Sequence, residues 1–194
     1  MSKPLSAVAL AAVPFAAAAA PESYTVDPYH TFPNFTIERP VSVMYGRFNK
    51  TSGKVTLDRA AKSASVELAI EAASIDTGDS DKGSRPRSRD EHLRAADFFN
   101  AAEFPRLTFK STSVAFTGDT PSAIDGNFTM LGVTRPLRLT VERFKCVPAT
   151  ASAKERCGGN ATGRLRRSDF GMKYGVPNLA DELALNIEFE MLKD

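Results

Sequence analysis

The chain has 194 residues, a length suited to one domain, and its 25 Lys and Arg against 23 Asp and Glu leave a formal net charge of +2. It contains no Trp, and its acidic and basic residues are interleaved. It therefore lacks the basic stripe and stacking aromatics of a nucleic-acid binder, and that class is excluded.

The first 20 residues read as a secretory signal peptide. Lys3 supplies a short basic start, Leu5 to Ala16 an apolar core, and Ala16 to Ala20 the small residues that signal peptidase requires. A membrane-spanning anchor would need a longer apolar run, and Pro14 breaks this one. Cleavage is expected after Ala19, with the mature chain starting around Ala20 or Pro21 and a periplasmic or secreted barrel domain over 21–194. Losing Lys3 lowers the net charge from +2 to +1.

Tyr24 to Asp27 alternates as a first short strand that Pro28 ends, and Asn34 to Ile37 places Phe35 and Ile37 on one face before Arg39-Pro40 bends the chain. Val41 to Asp58 carries two strands around Asn49 to Gly53. Gly46, inside the first of them, marks a barrel kink or the close approach of a ligand. Ser63 to Glu71 is a half-buried strand with Val66, Leu68 and Ile70 on one side. The polar run Ser74 to Arg89 then reads as a long loop leading to one short helix. In it Ser88 and Glu91 have the spacing of a capping box, and Leu93 with Ala96 gives an apolar side.

Strands resume at Arg106 to Lys110, with Leu107 and Phe109 on one face, and at Val114 to Thr117. Gly126 to Thr140 reads as a hairpin whose Gly-Val-Thr-Arg-Pro turn separates Phe128 and Met130 from Leu137 and Leu139. Pro136 can only open its strand or sit on an edge. Gly158 to Leu165 returns, Arg166 to Gly171 forms a polar turn, and Leu183, Leu185, Ile187, Phe189 and Met191 alternate along a last, fully paired strand. About eight or more antiparallel strands and one helix make an all-β chain that closes into a barrel.

Cys146 and Cys157 are the only two cysteines. In an exported protein their default is a disulfide stapling a long hairpin. A metal pair or redox couple would want a CxxC spacing or a neighbouring histidine, and neither is present.

A barrel of this size fills its lumen or holds one ligand there. Small inward residues (Gly126, Ala161, Gly163) mixed with Phe35, Leu68, Phe109, Phe128, Met130, Ile187 and Phe189 would line an elongated apolar slot; an ordinary packed core fits the same alternation. Asp27 with His30 and Asp90 with His92, joined by Asp169, are candidate acid/base groups for an exported hydrolase. Against that reading, the chain has no Gly-x-Ser-x-Gly elbow and no HExxH, and its two histidines cannot make a three-histidine zinc site. No catalytic residue and no cofactor is assigned. Lys82, Arg85, Arg87, Arg89 and Arg94, and separately Arg164, Arg166 and Arg167, could meet phosphate groups or an anionic membrane surface. The plainer reading is a solvated loop paired with Asp79, Asp81, Asp90 and Glu91.

Six blocks, in order Tyr24-Thr-Val-Asp27 with His30, Ser74-Ile-Asp-Thr-Gly78, Arg89-Asp-Glu-His-Leu93 through Asp97-Phe-Phe99, Phe104 to Ser111, Gly132-Val-Thr-Arg-Pro136 and Arg167-Ser-Asp-Phe-Gly171, resemble the YceI-like family of polyisoprenoid-binding proteins. The resemblance implies a secreted or periplasmic, lipocalin-like antiparallel barrel that is not an enzyme. It would hold a long isoprenoid chain, as a polyprenyl quinone or polyprenyl phosphate. The tail would lie against Phe35, Ile37, Leu68, Ile70, Phe109, Phe128, Met130, Leu139, Ile187 and Phe189, and His30, Arg89, His92 and Asp169 at a barrel mouth would select the head group. Two features depart from the pattern: Arg39-Pro40 stands where many relatives carry a second histidine, and the loop from Asp79 to Ser88 is longer and more basic. A barrel packed solid, serving as a stress-related interaction protein, is the second reading. Transient membrane contact and a homodimer are both compatible with the sequence.

Overall fold

A computed structural model describes residues 20–194, so the expected leader, save Ala20, lies outside the described residues. The strands are β1 (Glu22–Val26), β2 (Phe32–Arg39), β3 (Ser42–Phe48), β4 (Thr51–Asp58), β5 (Ser63–Glu71), β6 (Ile75–Asp76), β7 (Arg106–Thr117), β8 (Thr120–Met130), β9 (Val133–Val147), β10 (Arg156–Arg166) and β11 (Glu182–Lys193), with one α-helix, α1 (Arg89–Arg94). All pairings are antiparallel, and the sheet closes where β1 pairs both β4 and β11.

Three wall positions of the barrel are interrupted strands. β11 pairs β1 through Met191 to Lys193 and pairs β2 through Leu183 to Glu188, so β1 and β2 occupy one position split by the bulge 27–31. In the same way β3 continues into β4, and β5 into β6 through a 3₁₀ turn at Ala72–Ser74. Counted by position the barrel has eight strands, each beside its sequence neighbour. One end carries α1 and the connection 167–181, and the other carries both termini of the barrel and the Cys146–Cys157 bond.

The physical reason for closure is the pleat. Successive side chains alternate faces, so the apolar set of each strand points into one lumen, and a closed sheet leaves few backbone groups unpaired. Phe35, Phe109 and Phe128 are each buried there. Their ring volume is matched by glycines across the sheet. Gly46 pairs Phe35, and a Cβ at Gly46 would come 2.5 Å from the Phe35 ring. Gly126 likewise makes room for the ring of Phe109. Gly46 is thus filled by a side chain of the chain itself.

The hairpin reversal differs from the sequence expectation. The turn is Leu131–Gly132, both at positive φ (53° and 73°), and β9 already begins at Val133. Pro136 sits inside β9 opposite Asn127, tolerated because β10 pairs β9 only from Leu139 onward, which leaves the Pro136 edge free. β7 is one strand with a register shift at Ser111/Ser113 where two strands were expected. Arg39-Pro40 lies at the reversal between β2 and β3. Ser88 caps α1 as expected: its hydroxyl accepts from the Glu91 amide, and the Glu91 carboxylate accepts from the Ser88 amide. Cys146 and Cys157 face each other across β9 and β10 and are bonded.

Candidate functional site

Two cavities lie along the barrel. One is an apolar slot running down the lumen between Phe35 and Phe128 near the α1 end and Leu57 and Met191 near the disulfide end. It is narrow: only about 140 Å³ of it admits the centre of a water-sized sphere, space for on the order of ten such spheres. Val55, Val66, Leu68, Ile124, Ile187 and Phe189 keep part of their surface free there, whereas Phe109, Phe128 and Leu139, nearer α1, are buried. The α1 half is packed and the middle is hollow, so a solid core describes only part of the lumen.

Of the ten expected tail contacts, Phe35, Leu68, Ile70, Phe109, Phe128, Leu139, Ile187 and Phe189 line the slot. Ile37 points instead into the second cavity, and Met130, 2% exposed, is packed into the core at the α1 end. The reason is axial position: alternation assigns a face but says nothing about how far along the barrel a residue sits.

The four expected mouth residues are not brought together. His30 stands on the bulge between β1 and β2, Arg89 and His92 line the second cavity, and Asp169 lies in a separate surface depression with Arg135 and Arg166. At the bulge His30 Nδ1 is 2.8 Å from Asp27 Oδ2, and the Tyr29 amide donates to Asp27 Oδ1 at 2.9 Å. Burial pushes the Asp27 carboxyl up, but the hydrogen bonds from His30 and from Tyr29 outweigh it and hold the group below its usual value of 3.8. The same hydrogen bond, donated by His30 to the Asp27 carboxylate, outweighs desolvation and raises His30 above 6.5. Thr31, buried below, fixes the bulge to β11 by exchanging hydrogen bonds with the Glu190 backbone.

Asp27, His30 and Glu190 could together reach one cation, but Arg156 already sits 3.1 Å from Glu190. The other convergent group, Cys146, Glu155 and Cys157, has both its sulfurs in the disulfide.

Around α1 the pairing expected for His92 is corrected. Its Nε2 meets Asp97 at 2.9 Å, while the buried Asp90 accepts from the Thr77 amide and hydroxyl. The basic loop is largely engaged: Arg85 makes two bonds to Asp79, Arg87 meets Asp97, Arg89 meets Asp79, and Arg94 donates to the carbonyls of Ala73 and Ile75. Arg39, on the rim, makes no side-chain hydrogen bond or ion pair among the described residues.

The polar corner 166–171 is also corrected. Asp181 holds it by accepting from the Ser168 amide and hydroxyl, while Asp169, expected at a mouth with His30, takes no part. Arg167, expected in a surface cluster, is 1% exposed and donates to the carbonyls of Ala180, Met172, Tyr174 and Leu179. A sequence signal for this exists: continuing the inward parity of Gly163 and Leu165 puts Arg167 inside.

At the other end Tyr24 is fully buried, with its hydroxyl 2.7 Å from Glu155 and 3.1 Å from Arg59. Hydrogen bonds from Lys193 and Arg59 hold Glu22 down to about 2. This network ties β1, the β4–β5 turn, the cysteine hairpin and β11 together.

A model of the YceI-like domain matches residues 24–191. Protein YceI of Escherichia coli O157:H7 is 34% identical over 195 residues, covering 98% of this chain and 97% of that one. Among solved structures, the Campylobacter jejuni YCEI protein superposes with a TM-score of 0.66 at 26% identity, over 81% of this chain and 88% of that one. A polyisoprenoid binding domain from Saccharophagus degradans superposes with a TM-score of 0.62 at 14% identity, over 89% and 99%, a likeness of fold.

Proposed function

The chain belongs to the YceI-like family, and from that premise we propose that it is an exported, non-catalytic carrier that holds one long isoprenoid chain in its barrel lumen. The observation that carries this reading is the slot itself: long, narrow and apolar along its walls. Such a shape suits a slender linear hydrocarbon and excludes a bulky or highly polar ligand. Affinity would come from removing tail and wall from water, at about 25 cal/mol per Å², so it rises with tail length until the slot is filled. The relative from Saccharophagus degradans, described as polyisoprenoid-binding, supports the ligand class. The leader-like first 20 residues support release into the periplasm or beyond, and the disulfide is compatible with it.

Native mass spectrometry of protein purified from the exported fraction, followed by solvent extraction, tests this. A co-purifying polyprenyl species, or uptake of an added long-chain quinone, is the expected result. Protein that is never found with an adduct and takes up no isoprenoid would contradict it.

A further inference from the structure

Strand β3 is apolar on both of its faces. Met44 and Phe48 point into the lumen, while Val43 and Tyr45, with Val41 at the turn that precedes them, point outward and stay 45%, 70% and 95% exposed. A strand with two apolar faces is ordinarily covered on both. Beside it the outer face of β2 is polar, with Asn34, Thr36 and Glu38 directly opposite Arg47, Tyr45 and Val43. Two more exposed apolar groups, Tyr174 and Val176, lie at the same end of the barrel on the 167–181 connection, whose Ala180 amide donates to the Glu38 carbonyl at 3.2 Å. Single exposed apolar residues are ordinary, but a group gathered at one end marks an interaction surface.

β3 also has an open edge. β6 pairs it only at Arg47 and Phe48, and from Ser42 to Gly46 no backbone hydrogen bond joins that edge to the loop 77–88 or to α1 among the described residues. Cavities reach this seam from both sides: the arginine-rimmed second cavity at Met44, and an outer depression at Tyr45, Gly46 and Thr77. Phe35 lines both of these and the slot, its ring seated over Gly46.

Charge and shape decide what covers such a surface. Among the exposed side chains of 38–47 and 166–176, those without an ion pair among the described residues are Arg39, Arg47, Arg166 and Lys173 against Glu38 and Asp169, an excess of cations around an apolar ridge. A second copy meeting this face across a two-fold axis would bring the same cations together. A strand rise of about 3.3 Å per residue sets Val41 about 13 Å from Tyr45. A bilayer met by the turn first would take Val41 at the acyl boundary and hold Tyr45, Arg47 and Arg39 among its head groups, where tyrosine and arginine are favoured. We propose that the β2–β3 turn and strand β3 dock on an anionic lipid bilayer, and that the tail passes from that bilayer through the seam beside β3 into the slot.

The inference rests on the tail reading above, and its test separates the two. Wild-type protein is floated with vesicles of phosphatidylcholine, with and without phosphatidylglycerol, and is offered a long-chain quinone either in those vesicles or in detergent. Flotation with the phosphatidylglycerol vesicles is expected, falling at least about ten-fold in Val41→Asp and Tyr45→Asp and about five-fold in Arg39→Gln, as for one basic residue lost at an anionic surface. Val147→Asp, the same change at the disulfide end, should leave flotation unaltered. All four side chains are exposed, and thermal unfolding of each variant checks the fold. Quinone uptake from vesicles should slow in Val41→Asp while uptake from detergent keeps its rate. Wild-type protein that floats with neither vesicle, variants that float as well as wild type, or a loss as large in Val147→Asp would each overturn the docking face. A dimer seen by light scattering that Val41→Asp dissolves, in protein that binds no vesicle, would also overturn it and assign the face to a second copy. Equal uptake from vesicles by Val41→Asp and wild type would overturn entry beside β3. Flotation lost in Val41→Asp, with no quinone taken up from either source, would support the docking face and overturn the tail reading.

Discussion

The slot and the arginine-rimmed pocket sit end to end in one barrel and are built by different means. Strands make the slot: period-two alternation delivers apolar groups from every wall position, and glycines opposite phenylalanines set its bore. Connections make most of the pocket: α1, the loop before it and the 167–181 segment bring four arginines over the barrel end through hydrogen bonds to backbone carbonyls and a few carboxylates, and β2 adds Arg39. Repetition suffices for bulk apolar binding, whereas placing charge requires particular local contacts. The two regions should therefore fail differently when altered.

The largest effect is expected on the strand-made side. Phe109→Ala removes a buried ring that fills the space left by Gly126, and should cost about 3–5 kcal/mol in urea unfolding. A loss below 1 kcal/mol would mean that the α1 half of the lumen is not tightly packed. Replacing both cysteines with serine should cost about 2–3 kcal/mol by the loop-entropy argument for a short closed loop, read from the midpoint under oxidising conditions, and should leave the pocket at the opposite end unaltered.

Ser88→Ala removes half of the capping box at α1 and should cost about 1 kcal/mol. Its sharper readout is local: amide exchange should quicken in 88–95 and stay unchanged in β4 and β5. Uniform acceleration would show that α1 is not an independent element of the pocket wall.

The smallest effect concerns the bulge. Asp27 is held below 3.8, so its contribution is present above that value and is lost as acid passes through its lowered pKa. His30 is raised above 6.5, so its contribution is full below that value and is lost as pH rises through the raised pKa. The stability difference between wild type and Asp27→Asn should thus be greatest between 3.8 and 6.5 and shrink on either side. A difference independent of pH would mean that the His30 contact does not persist in solution.

The same contrast explains what could be read from sequence. The barrel, its lumen-facing residues, the capping box and the disulfide were legible because each rests on short-range spacing: alternation, a three-residue interval, two cysteines across one hairpin. Ile37 and Met130 carry the right face but the wrong depth, which spacing does not encode. Asp90, Asp169 and His92 were assigned partners from sequence neighbours, whereas the loops supply Thr77 and Asp97 as the partners of Asp90 and His92 and leave Asp169 in a surface depression. Arg167 was legible only by carrying strand parity one residue past the end of β10, where a polar turn motif drew attention to Asp169.

The proposed place of the tail is the hollow middle of the barrel. A crystal structure of the protein loaded with a long-chain polyprenyl ligand tests it most directly. Continuous density between Val66, Ile124 and Ile187 is the predicted result; a lumen unchanged from the free protein, with the ligand bound on the outer surface, would contradict it.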